Sequence, residues 1–167
     1  MCIQRLILLI RMLFNTPFGI QLNIEAVVAE IIRFMKDDEK RQYKIIIGSD
    51  SERKENSVDF VTAVIVHRVG NGGRYFWRRM EQPKSPSLRH RIIQEVMYSL
   101  EIAQQTLVVL KDSNAPIFDF EVHVDVGENG ETKSMINEVV GMVRAYNFEA
   151  RTKPESYAAS KVADRHV

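Results

Sequence analysis

Several things are scarce in this chain, and each scarcity closes off a class of protein. Cys2 is the sole cysteine among 167 residues, so no intramolecular disulfide can form, and such usage suits a reducing, cytoplasmic setting. No apolar run approaches the roughly twenty residues a membrane-spanning helix needs. The most apolar stretch, Leu6, Ile7, Leu8, Leu9 and Ile10, is bracketed by Arg5 and Arg11. Asn15, Thr16 and Pro17 follow it in place of a small-residue cleavage pattern, which argues against a secretory signal. An excess of one charge is also missing: 23 Lys and Arg stand against 22 Asp and Glu, for a formal net charge of +1. The totals therefore select no partner, and only the placement of charges can. Walker loops, dinucleotide fingerprints, Ser-His-Asp spacings and Cys/His zinc patterns are absent. Gly70-Asn71-Gly72-Gly73 is a hairpin turn rather than a phosphate loop.

What remains is an ordinary globular composition. With 45% hydrophobic residues, a chain of this length can bury a core without disulfide or metal staples. Residues 1–22 read as an N-terminal extension and 23–167 as one domain. Within the extension, residues 1–14 are expected to form a helix docked on the body or on a second copy, which would make a homo-oligomer; a membrane-surface anchor is the weaker alternative because its basic face is poorly developed.

The domain is organised around residues 43–51, Tyr-Lys-Ile-Ile-Ile-Gly-Ser-Asp-Ser. Ile45, Ile46 and Ile47 are continuously apolar and β-branched, as in a strand buried on both faces. Gly48 and Ser49 end the run, leaving Asp50 at the strand's carboxyl end, where open α/β sheets place their ligands. A lone Asp there would merely close an Asx turn; a second strand ending the same way changes that reading.

Before this strand, residues 23–35 carry Asn23 as N-cap, Glu25 in the first turn and apolar residues at helical spacing. After it, residues 60–68 and 74–79 form two further strands about the glycine-rich turn, completing an antiparallel meander. A helix is expected to start at Ser85 and Pro86 and run to Leu107. Residues 118–126 then read as a fourth strand, 132–146 as a helix, 148–152 as a short strand, and 155–166 as a last helix opened by Pro154. The fold class is α/β: a mixed five-stranded sheet in the order βββ-α-β-α-β-α, flanked by helices, with a helical N-terminal extension.

Four acids fall into a pattern within this order. Asp50 ends strand one and Asp125 ends strand four, in Val122-His123-Val124-Asp125-Val126-Gly127, where His123 and Asp125 share a face. On the long helix, a rotation of about 100° per residue puts Glu95 at the edge of the apolar stripe and Glu101 nearly opposite it. Asp164 lies on the last helix. Mg²⁺ and Mn²⁺ prefer hard oxygen ligands, and acids from separate elements can share two such ions about 4 Å apart, activating a water and steadying the leaving oxygen of a phosphodiester. His123 is a candidate for proton transfer near neutral pH, although a buried, hydrogen-bonded strand histidine is the commoner outcome.

This order of strands, helices and acids resembles the ribonuclease H fold. More closely, residues 47–51 (Ile-Gly-Ser-Asp-Ser), residues 122–127, residues 138–143 (Glu-Val-Val-Gly-Met-Val) and residues 153–160 (Lys-Pro-Glu-Ser-Tyr-Ala-Ala-Ser) resemble the YkuK family of predicted ribonuclease-H-related nucleases. The resemblance covers residues 23–167. It implies Mg²⁺- or Mn²⁺-dependent hydrolysis of a nucleic acid backbone, with Asp50 and Asp125 as primary ligands and Glu95 and Asp164 as the further members of a catalytic, metal-holding set.

Basic residues supply a candidate substrate surface. Arg74, Trp77 and Arg78 sit in the third strand, where basic and aromatic residues interleave as phosphate contacts and stacking platforms do. The same pattern would arise if Tyr75 and Trp77 made one buried face with the arginines outside as edge protection. Arg89 and Arg91 place positive charge in the first turns of a helix, against its dipole, which is better tolerated where an anion binds. Lys153 extends the patch. A nuclease is the leading expectation; a binding module lacking turnover, or a structural homodimer formed through residues 1–14, are the alternatives.

Overall fold

The computed structural model describes residues 12–84, 87–156, 161–162 and 165–166. The short strands β1 (Phe14–Asn15) and β2 (Gln21–Leu22) are followed by helix α1 (Ile24–Lys36) and the long strands β3 (Tyr43–Arg53), β4 (Ser57–Arg68) and β5 (Gly73–Pro83). Helix α2 (Leu88–Lys111), strand β6 (Asp119–His123), a 3₁₀ turn at Lys133–Met135, helix α3 (Ile136–Ala145) and strand β7 (Glu149–Arg151) complete the order. They form one seven-stranded sheet in the order β2-β1-β5-β4-β3-β6-β7. Strands β3, β4 and β5 make the antiparallel meander, and β6 and β7 join in parallel.

Two strands more than the expected five come from the N-terminal segment. Thr16 ties the chain into a hairpin: its Oγ1 accepts from the Ile20 amide at 3.1 Å, its amide donates to the Ile20 carbonyl at 2.9 Å, and Gly19 takes a positive φ of 77° that the turn requires. Phe14, expected at the end of a helix, is instead a β1 residue opposite Leu22 and fully buried. The rest of that expected helix, residues 1–11, lies outside the described residues.

Alternation assigns the two faces of the sheet. Ile45, Ile47, Val64, Val66, Phe76 and Val122 pack with the inner sides of all three helices in the main core. Each fully buried Val or Ile there contributes on the order of 2 kcal/mol. The opposite face carries a smaller cluster of Ile46, Ala63 and Ile65, covered by Tyr75 and by Val162 from the C-terminal segment. Helix α1 starts where expected: Asn23 Oδ1 accepts from the Ala26 amide at 2.9 Å. Helix α2 starts later, with Ser87 as N-cap accepting from the His90 amide at 3.1 Å, and it continues to Lys111. The expected cap residues Ser85 and Pro86 lie outside the described residues.

Candidate functional site

The carboxyl end of β3 is built by hydroxyls as much as by acids. Small side chains let α2 approach the strand closely, and the Thr62, Ser49 and Ser99 hydroxyls form a chain with 2.8 Å steps that ends on the Glu95 carbonyl at 2.9 Å. One turn of helix further on, Ser51 Oγ donates to Glu95 Oε1 at 2.5 Å. Helical phase thus brings Glu95 inward, 6% exposed, while Glu101 faces outward. Burial is the main reason the Glu95 carboxyl is pushed up to about 7; the Ser51 hydroxyl, Arg91 and Lys153 oppose that shift, and the nearby Asp125 adds to it.

Strand β6 lies beside β3 in parallel register, Gly48 opposite His123 as the last rung. Asp50 and Asp125 are each two residues beyond that rung, but neither ends a strand. β3 runs on to Arg53, so the expected strand-terminal Asp50 lies within it, paired with Val61 of β4. Registered pairing of β6 stops at His123 on both sides; the Val124 amide still donates to the Arg151 carbonyl at 2.9 Å, and Val126 then turns back to donate to the Val124 carbonyl at 2.9 Å. Val124 and Val126 are both buried in the main core, while Asp125 between them is partly exposed. Asp50 belongs to the face opposite Ser49 and Ser51, away from α2, and its Oδ1 accepts from the Ser51 amide at 2.8 Å. The described structure therefore brings Glu95 and Asp125 into electrostatic contact from α2 and the β6 end, with Asp50 on the adjacent strand. Asp164 lies outside the described residues; Val162 and His166, near it in sequence, pack over the face to which Asp50 belongs.

His123 is buried on that face. Its Nε2 lies 3.0 Å from Glu121 Oε2, and Glu121 is also held by Lys44 at 2.9 Å and by Arg151 at 3.5 Å. Burial pulls the His123 pKa down, with Glu121 and the Ser156 backbone opposing it. The ring is thus engaged in a buried network below the carboxylates, which fits a strut better than a proton carrier. Glu121 was not foreseen; its signal was its place two residues before His123 on the same strand face.

The basic candidates scatter. Arg78 is a correction: it is 4% exposed, on the core-facing side with Phe76, beneath α2 and 3.7 Å from Glu101. Tyr75 and Trp77 take the other face, where Trp77 stacks on His166 at 3.7 Å between centroids. Arg74 is a second correction. It lies on the rung of Val66 and Ile45, toward the opposite end of β3 from Asp50, with its guanidinium over Phe34. There it helps line a groove of about 830 Å³ with Phe18, Ile20 and Arg33, remote from the carboxylates. Arg89 is held by Glu138 in a two-pronged pair at 2.6 Å, and Arg91 is close enough to Glu95 to favour its charge. Lys153 Nζ sits 2.7 Å from Asp125 Oδ1. Sequence reasoning missed Arg79 and Lys54, which clamp the fully buried Asp59 beside the Asp50 rung.

Among the described residues, no group of three or more His, Cys, Asp or Glu side chains stands close enough together to hold a metal ion. In kind, the donors suit a hard divalent cation: Glu95 and Asp125 are carboxylates near one another, Asp50 lies on the adjacent strand, and a side-chain ammonium already sits on Asp125. No helix among the described residues is long and apolar enough to cross a membrane.

Comparison with known proteins agrees with this architecture. The Ribonuclease H-like family matches residues 26–167. The uncharacterised protein YkuK of Bacillus subtilis (strain 168) is 32% identical over 165 residues, covering 92% of this chain and 95% of the relative.

Proposed function

We propose that this chain, which belongs to the ribonuclease H-like family together with its YkuK relatives, is a divalent-metal-dependent nuclease that hydrolyses phosphodiester bonds of a nucleic acid. The observation that carries this reading is the approach of α2 to the segment after β6, where a buried Glu95 meets Asp125, with Asp50 two residues past the last shared rung on the adjacent strand β3.

In this reading Asp50 and Asp125 hold Mg²⁺ or Mn²⁺, with Glu95 and Asp164 completing the acidic set. The bound ion would supply a nucleophilic water at neutral pH and charge stabilisation for the leaving oxygen. The chain's own work is positioning. The Ser49–Thr62–Ser99 hydroxyl chain fixes the height of α2 over the strand, and Ser51 fixes the rotamer of Glu95. In the cation-free chain burial pushes the Glu95 carboxyl up to about 7, so Glu95 can keep its proton near neutrality until a cation favours its ionised form. His123 and Glu121 support the strand end from below. Arg91 and Arg89, in the first turns of α2, supply positive charge on the helix from which Glu95 projects.

A panel of labelled RNA, DNA, hybrid and branched substrates, incubated with Mn²⁺ and with EDTA, tests the proposal. Cleavage of at least one substrate in Mn²⁺ and none in EDTA is expected. Uniform inertness across the panel would leave the chain a nucleic-acid-binding module.

A further inference from the structure

One cation at this end of the sheet is held more elaborately than an exposed lysine needs to be. Lys153 follows β7, and its amide donates to the Val126 carbonyl at 2.8 Å. That bond fixes the Lys153 backbone against the segment carrying Asp125. The stem of the side chain then lies on Gly127: a Cβ at that position would stand 3.0 Å from Lys153 Cβ, with Cδ and Cγ at 3.6 and 3.8 Å. A side chain at 127 would press the stem off its bed, so glycine there is a matter of space. Guided in this way, Nζ reaches Asp125 Oδ1 at 2.7 Å and is near enough to Glu95 to favour its ionised form. The side chain nonetheless remains 56% exposed, so the ammonium is open to a substrate while its stem and backbone are fixed.

We propose that Lys153 is a tethered cation of the carboxylate site: it occupies Asp125 Oδ1 until a divalent ion takes that oxygen, and its released ammonium then contacts a phosphate of the bound nucleic acid backbone. This rests on the nuclease reading above and adds a named residue and an order of events to it. The physical basis is charge. Glu95 and Asp125 brought together in a cation-free chain repel one another, and an ammonium on Asp125 lowers that cost. A divalent ion on the same oxygen carries more charge and makes the ammonium redundant there. A compact ammonium on a flexible end section, anchored at its base, can swing to an anion placed beside the site.

The test uses the full chain and two measurements, one without substrate. Lys153→Met keeps a stem of similar shape over Gly127 and removes the charge; Lys153→Gln is the second variant, should the first fold poorly. Mn²⁺ affinity is read from the spin resonance signal of the free ion, and cleavage from the labelled substrate that wild type cuts best. Loss of the competing ammonium is expected to tighten Mn²⁺ binding about fivefold or more, and loss of the phosphate contact to slow cleavage about tenfold or more. Opposite movement of the two readouts supports the proposal. Unchanged or weaker Mn²⁺ binding overturns it, because Lys153 then does not share Asp125 with the ion. Tighter binding with unchanged cleavage also overturns it, because the released ammonium then touches nothing that matters. If wild type itself neither binds Mn²⁺ nor cleaves, the nuclease reading fails with it, whereas a wild type that does both beside an indistinguishable Lys153→Met removes only the role of Lys153.

Discussion

Asp59 and Glu95 are two carboxylates shut away from water at the same end of one sheet, and they behave oppositely. Asp59 is covered by the side chains of Lys54 and Arg79, both bound to its Oδ2. Burial alone would raise its pKa, but the two cations outweigh it and hold the carboxyl below its ordinary value. It is sealed by its partners rather than sunk in the core, since both of them remain nearly half exposed. Glu95 projects from the inner side of α2 with a serine hydroxyl as its hydrogen-bond donor, its cations farther off and Asp125 opposing, and its carboxyl rises to about 7. A buried acid with matched cations is a strut. A buried acid without them holds its proton loosely near neutrality, and that difference, more than depth, separates a structural position from a chemical one.

Substitution should break the comparison most sharply. Glu95→Gln preserves shape, keeps an acceptor for Ser51 and removes the cost of a buried charge, so melting temperature should hold or rise while Mn²⁺-dependent cleavage falls about 100-fold or more. Asp59→Asn should do the reverse: Lys54 and Arg79 lose their shared partner, stability to urea drops by about 1–3 kcal/mol, and cleavage per folded molecule stays within about twofold of wild type. Urea unfolding and steady-state cleavage on both variants decide this. The contrast would be refuted if Glu95→Gln unfolded the chain or Asp59→Asn silenced it.

A smaller effect should appear in the pH dependence of stability, measured in EDTA. The folded value of Glu95, about 7, lies above its ordinary 4.5, so between these values the folded chain keeps a proton that the unfolded chain has lost. Stability from this residue therefore falls as pH rises from about 4.5 to about 7 and levels off above, by up to about 3 kcal/mol. Asp59 acts at the acid end with the other sign: its folded value is lowered from 3.8, so its contribution is present above that pH and lost as pH falls through the folded value. The stability gained by Glu95→Gln should thus grow between pH 5 and pH 7.5. A gain that does not change with pH would show that Glu95 is not the group responsible.

Much of the frame could be read from local pattern, and the failures have physical causes. The Ile45–Ile46–Ile47 run marks the central strand because both of its faces are covered, and rotation per residue separated Glu95 from Glu101 because α2 is regular over that span. Alternation in β5 gave the right period and the wrong face. With both faces covered, Phe76 and Arg78 could point inward as readily as Tyr75 and Trp77, and the buried Arg78 beside Glu101 could not be foreseen from its own strand. The apolar alternation of residues 122–126 continued past the point where pairing stops, since Val124 and Val126 stay buried through the turn that Val126 closes on Val124. The Asp59 clamp joins β4 and β5 through hairpin register to Lys54 in the turn after β3, and Arg79 lies outside any local window around Asp59. The N-terminal hairpin was hidden behind the apolar run that precedes it.

The central claim is that Asp50 of β3 and Asp125, just past β6, belong to a hydrolytic metal site. Its most direct test is cleavage in Mn²⁺ by wild type, Asp50→Asn and Asp125→Asn, with binding of the same nucleic acid followed in parallel by fluorescence anisotropy. Each substitution should reduce cleavage to the level seen in EDTA while binding is kept or strengthened. Cleavage that survives in both variants, at the wild-type rate and still dependent on Mn²⁺, would place the chemistry elsewhere in the molecule and contradict the account.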